Sequence, residues 1–145
     1  MKDTMNIKGV FTLKVIDAKT GKLLEQYVDR NLVVNGGRTA VTRLLGGDVA
    51  NRSITKIAFG TNGTAPASID NAITGAFTKA LGAVSYPTIN SVRWAWTLEE
   101  NEGNGIGIRE YGLLCNNDVL FARKTREVIN KNSSIRLVGS WEVSF

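Results

Sequence analysis

Apolar and polar residues alternate along much of this chain, and a period of two predicts β-strands. In the segment 135–145, every second residue is apolar or glycine: Ile135, Leu137, Gly139, Trp141, Val143 and Phe145. In the segment 91–98, one face carries Val92, Trp94, Trp96 and Leu98. We expect these two strands to be neighbours, since paired aromatic strands gain roughly 0.2–1 kcal/mol per cross-strand contact.

The N-terminal part predicts a β-hairpin over about 7–30. Alternation runs from Val10 to Ile16, the residues 17–22 have turn chemistry, and Leu23–Val28 resumes an extended run. The sequence assigns this hairpin no role.

One short helix is predicted from about Gly37 to Leu45. A strand over Asn31–Val34 is broken by Asn35 as a cap and by two glycines. Apolar residues then recur at helical spacing, and Gly46 and Gly47 follow as a C-terminal cap.

The remaining segments predict further short strands. An apolar run at 54–59 ends in a glycine-rich loop at 60–66, whereas 68–87 fits helical and extended structure equally well. An extended segment begins at 106–108, and strands near 111–114 and 119–123 flank the turn 116–118. About eight strands and one helix indicate an all-β domain spanning 1–145, a β-sandwich with a jelly roll as one option.

Composition favours a single globular domain. The chain has 145 residues, 43% of them hydrophobic and 21% charged. Its start, Met1–Asn6, is polar, and no apolar run of about 18 residues follows, so we expect neither a secretion signal nor a membrane span. Synthesis in a bacterial cytoplasm fits this pattern. Cys115 is the only cysteine and predicts a buried, unreactive thiol.

The absence of histidine argues against an enzyme, because it removes the usual general base and the usual activator of Ser or Cys nucleophiles. The only dense acidic group is Glu99, Glu100 and Glu102 on a glycine-containing loop, which is typical of a solvated tip. Calcium binding by this loop is a weaker alternative. Trp94 and Trp96 could stack on a sugar, but their shared apolar face favours core packing. We predict no catalytic, cofactor-binding or metal-binding residues.

The net charge of +5 and the pI near 9.6 raise the question of nucleic acid. Most cations are dispersed along the chain, and only the stretch 123–136 is dense in them. A solvated hairpin is one interpretation of this stretch, and a binding patch is the other. The candidate interaction residues are Arg123, Lys124, Arg126 and Lys131. We expect them to face an acidic neighbour in an assembly, and we predict no nucleic-acid partner.

Several stretches resemble the tail-fibre and related virion proteins of tailed bacteriophages. Phe59–Pro66, FGTNGTAP, is similar to the "FGTG...AP" loop of those proteins, and Ile69–Ile73 stands where an Asp-Thr-Ala-Leu-like stretch tends to follow. Ile106–Leu114 resembles their "I.E.GLF" signature, and Val119–Arg123 resembles the "LFAR" segment after it. The resemblance covers roughly 31–145. It departs at Leu114, where the family often has phenylalanine, and it leaves the N-terminal hairpin unplaced.

The shared signature also suggests roles for two residues. We expect Glu110 to be a buried, satisfied carboxylate that pairs with Arg109 or with a loop amide, in preference to a catalytic role. We expect Gly112 to permit a kink in the backbone. Both are scaffold roles.

The resemblance therefore implies a non-enzymatic structural protein of the virion, assembled in the host bacterial cytoplasm. Its partners would be other phage virion proteins and copies of itself, with a trimer favoured, and neither cofactor nor membrane is involved. A tail, baseplate, collar or fibre-attachment module is the first hypothesis, because few residues follow the last strand. A capsid decoration protein is the nearest alternative, and a host-glycan-binding module is an alternative of another class.

Overall fold

The computed structural model describes residues 6–145, which contain nine strands and one helix. In chain order the elements are β1 (Lys8–Asp17), β2 (Leu23–Val33), α1 (Asn35–Leu45), β3 (Ile54–Gly60), β4 (Phe77–Ala80), β5 (Val84–Ser85), β6 (Ser91–Leu98), β7 (Gly107–Cys115), β8 (Leu120–Asn130) and β9 (Ile135–Ser144). The prediction of an all-β fold with one short helix is confirmed. The polar start of the chain lies outside the described residues, apart from Asn6.

The strands form one antiparallel sheet in the order β4-β3-β7-β8-β2-β1-β9-β6-β5, curled into a half-barrel. The prediction of a two-sheet sandwich is therefore wrong. The reason lies in β2, which pairs along β1 and then joins β8 through Leu32 and Val33. Because one strand belongs to both halves, the sheet is continuous, and its twist curls it around the core.

The segment 77–85 spans the two ends of the curled sheet. It pairs first with β3 as β4 and then with β6 as β5. The change of partner occurs at consecutive amides: Leu81 donates to the carbonyl of Thr55 at 2.9 Å, and Gly82 donates to that of Ala95 at 2.7 Å. The region 68–87, which the sequence left open, is thus extended where it is regular.

The core fills the concave side of the sheet and is rich in aromatic rings. The ring of Phe11 lies 4.7 Å from that of Tyr111, 5.0 Å from that of Trp141 and 5.6 Å from that of Trp96, measured between centroids. Phe11 belongs to β1 and Tyr111 to β7, so these contacts hold opposite limbs of the sheet together. Trp94 lies directly opposite Trp141, which confirms the predicted pairing of β6 with β9.

Gly139 occupies an inward position of β9 where a larger residue would not fit. A methyl group there would overlap the carbonyl oxygen of Thr12 and the indole of Trp96. The glycine therefore leaves room for Trp96 to lie against the backbone of β9.

The helix begins at Asn35, two residues before the predicted start, and Val34 holds the N-cap position, so Asn35 is not the cap. Gly36 and Gly37 lie inside the first turn because β8 passes close by: their Cβ atoms would overlap the carbonyl oxygens of Leu120 and Phe121. The end of the helix at Leu45, followed by Gly46, is confirmed. Within residues 6–145, no helix has the length and apolarity needed to cross a membrane.

Two strands are longer than the sequence pattern suggests. β7 joins the extended segment at 106–108 with the strand near 111–114, and β8 continues from Leu120 through the basic stretch to Asn130. The turn between them, at 116–118, is confirmed, with Asp118 in the left-handed region at a φ of 67°. The N-terminal hairpin is β1 with β2, and β1 also pairs with β9 along its whole length, so the hairpin is integral to the sheet.

Candidate interaction surfaces

A buried carboxylate fixes the glycine-rich loop after β3. Glu110 on β7 is fully buried, and its oxygens accept hydrogen bonds from the backbone amides of Asn62 at 2.6 Å and Thr74 at 3.4 Å. Both ends of the connection between β3 and β4, residues 61–76, are thereby tied to one side chain. The expected loop-amide partner of Glu110 is confirmed, whereas Arg109 is exposed and is not its partner.

Arg123 on β8 completes this network. Its guanidinium donates to Glu110 at 3.4 Å, to Asp70 at 2.9 Å and to the carbonyl of Asn62 at 2.9 Å. The planar fork of arginine suits such simultaneous contacts. Only 3% of its side chain is exposed, so Arg123 is a buried residue that links β8 to Glu110 and to the loop.

Gly112 supports the same loop by leaving space. A Cβ atom there would lie 2.7 Å from the side chain of Ile73. Gly112 pairs with Ala58 on one side and with Arg123 on the other, in register with its neighbours. The glycine thereby allows the loop to pack on β7, and the backbone kink at Gly112 stays a prediction.

Lys124 and Arg126 bridge a gap between β8 and β2. The two strands pair only at Leu32 and Val33 of β2, and beyond these the side chains of β8 take over the contact. Lys124 Nζ lies 2.6 Å from a carboxylate oxygen of Asp29, and Arg126 lies 2.7 Å from one of Glu25. The hydrogen bond from Lys124 is the main reason why the pKa of Asp29 is lowered, to about 2.

Tyr27 lies beneath both cations. Lys124 Nζ is 5.5 Å from the centroid of its ring, and the guanidinium carbon of Arg126 is 4.8 Å from it. At these distances the face of the ring attracts the positive charges. Ion pairs and cation–π contacts together fill the gap where the strands diverge.

Lys131, the fourth basic residue predicted to interact, is also turned inward. It is 2% exposed and donates to Asn104 Oδ1 at 2.9 Å, and burial lowers its pKa. All four candidate residues therefore have partners within the chain: Arg123, Lys124, Arg126 and Lys131. This does not agree with the interpretation of the basic stretch as a solvated hairpin. Their contact with an acidic neighbour stays a prediction.

The acidic loop between β6 and β7 is held by an ion pair and by hydrogen bonds within the chain. Glu102 pairs with Lys79 at 2.5 Å and accepts a hydrogen bond from the amide of Glu99 at 2.9 Å. Lys79 also donates a hydrogen bond to the hydroxyl of Thr97. It therefore links β4, at one edge of the sheet, to β6 near the other edge. Within residues 6–145, no group of three or more acidic or cysteine side chains is placed to hold a metal ion.

An apolar groove of about 310 Å³ opens at one end of the half-barrel. One wall comes from α1, and the other comes from β5, β6 and the end of β9. The residues that line the groove are Val41, Leu44, Arg52, Ser53, Ile54, Val84, Tyr86, Val92, Trp94, Phe121, Val143 and Phe145. This end also holds the start of β1 and the end of β2, because Gly9 pairs with both Asn31 and Val143.

The rim of this groove is unusually exposed for apolar residues. The exposed fraction is 37% for Leu44, 50% for Val84, 76% for Tyr86 and 42% for Phe145. Trp94, in contrast, is 6% exposed. Trp94 and Trp96 are therefore core residues, as their shared face predicts. Sequence reasoning missed the groove, because its residues are scattered from 41 to 145 and no local pattern links them.

A second apolar surface, which we term the β2 surface, lies on the first half of β2. It consists of Leu23, Leu24 and Val28, whose exposed fractions are 48%, 53% and 57%. Among the described residues, β2 has no strand partner on its β8 side before Leu32. The β2 surface therefore consists of exposed apolar side chains on a stretch of β2 whose β8 side is bordered by the side chains of Lys124 and Arg126.

No model of a known protein family, no curated protein and no solved structure matches this chain.

Proposed function

We propose that the chain is a non-enzymatic structural protein of a bacteriophage particle, a tail, baseplate, collar or fibre-attachment module that acts through oligomeric assembly. The proposal starts from the resemblance of residues 31–145 to virion proteins. It joins that resemblance to the surfaces described above.

The stretches that carry the resemblance meet in one place. The loop at 59–66 follows β3, Glu110 lies on β7, Arg123 lies on β8, and these three strands are neighbours in the sheet. Glu110 and Arg123 bind the loop directly. The motif residues thus form one rigid scaffold, which supports reading them as a set.

The observation that carries the proposal is the groove with its exposed apolar rim. Contiguous apolar surface exposed to water is unfavourable, and in stable proteins it marks a site that another surface covers. The β2 surface, with three exposed apolar side chains, is a second area of this kind. A protein whose work is assembly needs such surfaces.

A glycan-binding module has less support from the geometry. The two tryptophans that could stack on a sugar are at most 6% exposed, so neither ring face is open to a ligand. A capsid decoration protein uses the same kind of surfaces as a tail module, and the location in the particle separates these two.

The test is the protein composition of virions of the phage that encodes this chain. We expect the chain in particles purified on a density gradient, in a fixed ratio to the major capsid protein that matches a tail or collar position. A copy number close to that of the capsid protein would instead favour decoration. Absence from intact particles would refute the proposal, and infected-cell lysate serves as the control for expression.

A further inference from the structure

We propose that the convex side of the sheet, the side away from the core, binds an acidic surface of another virion protein. Four cations on β1, β2 and β9 form the contact, and we name them the basic face: Lys8, Lys14, Arg30 and Arg136. The inference rests on the proposed function, because it names the kind of partner through which the chain joins the particle.

Two of these cations belong to β1. Every second residue of this strand, from Phe11 to Val15, is buried in the core. Successive side chains of a strand point to opposite sides of the sheet. Lys8 and Lys14 occupy the alternate positions, so they lie on the convex side.

The other two cations lie on the strands next to β1. Arg30 of β2 pairs with Val10, and Arg136 of β9 pairs with Ile16. Residues that are directly opposite each other in an antiparallel pair share one side of the sheet. Val10 and Ile16 alternate with the core positions, as Lys14 does, so all four cations are on the convex side.

The chain does not neutralise the basic face. None of its four cations has an ion-pair partner among residues 6–145. On the convex side of β1, β2 and β9 the one acid is Glu142, and Arg93 of β6 pairs with it at 2.9 Å. In contrast, eight other cations have a carboxylate oxygen within 3.9 Å: Arg43, Arg52, Lys56, Lys79, Arg93, Arg123, Lys124 and Arg126.

The turn between β1 and β2 extends the positive charge. It carries Lys19 and Lys22, which are exposed. The acid before the turn, Asp17, accepts hydrogen bonds from the backbone amides of Lys19 at 2.9 Å and Thr20 at 2.8 Å. From Lys8 to this turn the positive surface follows the whole of β1, roughly 30 Å.

Aliphatic side chains lie between these cations. Val10, Ile16 and Val138 are partly exposed on the convex side. The β2 surface adjoins them, because its Leu23 pairs with Ile16 and its Val28 follows on the same side of β2. Protein interfaces combine apolar contact with complementary charge in this way, and the charge selects the partner. An acidic protein surface therefore suits the basic face.

Other occupants suit it less well. Proteins that hold single-stranded nucleic acid stack its bases on aromatic rings, and the described convex side of β1, β2 and β9 has none. A nucleic-acid duplex is itself convex, so it would touch a convex sheet along a narrow line and reach few of the cations. A second copy of this chain has a net charge of +5, which is the wrong sign.

Charge reversal on and off the basic face tests the inference. The face variant is Lys14→Glu with Arg30→Glu. The matched control is Arg38→Glu with Arg109→Glu, which changes the net charge by the same amount at two exposed arginines of α1 and β7. Both control positions lie outside the basic face, and near-UV circular dichroism checks that both proteins fold.

The first measurement is entry into particles. Each variant, or the wild type, carries a peptide tag and is expressed in host cells during infection by wild-type phage, so that particles always form. Mass spectrometry then counts tagged copies in purified particles. We expect the control to enter as the wild type does and the face variant to enter about tenfold less. Equal entry of face variant and control would overturn the inference.

The second measurement uses purified protein and does not depend on the virion. Fluorescence anisotropy follows the binding of a labelled decaglutamate peptide at low ionic strength. We expect the affinity to fall about tenfold in the face variant and less than about twofold in the control. An absence of binding by the wild type, or an equal loss in both variants, would overturn the inference.

Duplex DNA is the comparison probe. If DNA binds at physiological ionic strength and only the face variant loses this binding, the basic face is a nucleic-acid site and the inference is wrong. Absence of the wild-type chain from virions would refute the proposed function. A normal number of face-variant copies in virions that also contain the wild type would refute this inference alone.

Discussion

Replacing Arg123 with methionine should strongly destabilise the fold. The change leaves Glu110 fully buried without its cation and removes the hydrogen bond to the Asn62 carbonyl. Breaking a buried ion pair from one side costs about 3–5 kcal/mol. We expect the lower end, about 3 kcal/mol, because Glu110 keeps two amide donors and Asp70 is partly open to water.

The loss is measurable by urea unfolding followed through tryptophan fluorescence. Protein concentration must be held fixed, since assembly adds to the apparent stability. A loss of about 3 kcal/mol corresponds to a melting temperature lower by roughly 10 °C for a domain of this size. Arg109→Met is the control: it removes a neighbouring cation of the same signature that is exposed, and it should change the free energy of unfolding by less than about 0.5 kcal/mol.

A double variant isolates the pair. Glu110→Gln removes the buried negative charge but keeps oxygen and nitrogen atoms for the loop. Combined with Arg123→Met, it should cost less than the sum of the two single variants by about 1–3 kcal/mol. Strictly additive losses, or an Arg123→Met protein as stable as the Arg109→Met control, would refute the view that this pair anchors the loop.

Three further outcomes follow from the geometry. Gly139→Ala should cost about 1–3 kcal/mol in urea unfolding and shift the fluorescence of Trp96, because the added methyl overlaps the indole; unchanged stability would contradict this. Lys124 holds the pKa of Asp29 at about 2 in the folded state, against an ordinary value of 3.8. The stabilisation is therefore complete above about pH 4 and is lost as the pH falls towards 2. The urea midpoint of Asp29→Asn should accordingly change less between pH 4 and 2 than that of the wild type, and equal changes would count against the pair. Burial raises the pKa of the Cys115 thiol, so Ellman's reagent should react with it only after unfolding, and rapid labelling of native protein would show that the thiol is accessible.

The regular parts of the fold could be predicted where one face of a strand is uniformly apolar. β9 and β6 alternate without interruption, so their existence and their pairing through Trp94 and Trp141 followed from the pattern. Gly46 and Gly47 likewise marked the end of α1. In these places the local sequence was sufficient for the prediction, because the residues within each element determine its structure.

The length of β8 could not be predicted in this way. Lys124 is nearly buried, which breaks the alternation that marks a strand. It is tolerated because Asp29, nearly a hundred positions earlier, neutralises its charge. Only the folded chain brings these residues together, and so the basic stretch resembled a hairpin or a patch.

The sandwich prediction was wrong, and the groove was missed, for related reasons. Whether strands form two sheets or one curled sheet depends on β2 reaching β8 through Leu32 and Val33, a contact that no periodicity encodes. The groove depends on that curl, since its lining residues come from α1 and from β5, β6 and β9. The sequence also does not reveal that Tyr86 and Leu44 are exposed, because the same apolar residue types occur at the surface and in the core.

Imaging of the intact phage particle by electron cryo-microscopy tests the central claim, assembly into a virion, most directly. We expect density for this chain at a symmetric position on the tail, baseplate or collar, with the groove of each copy covered by a neighbour. A fully interpreted particle map without this chain would contradict the claim.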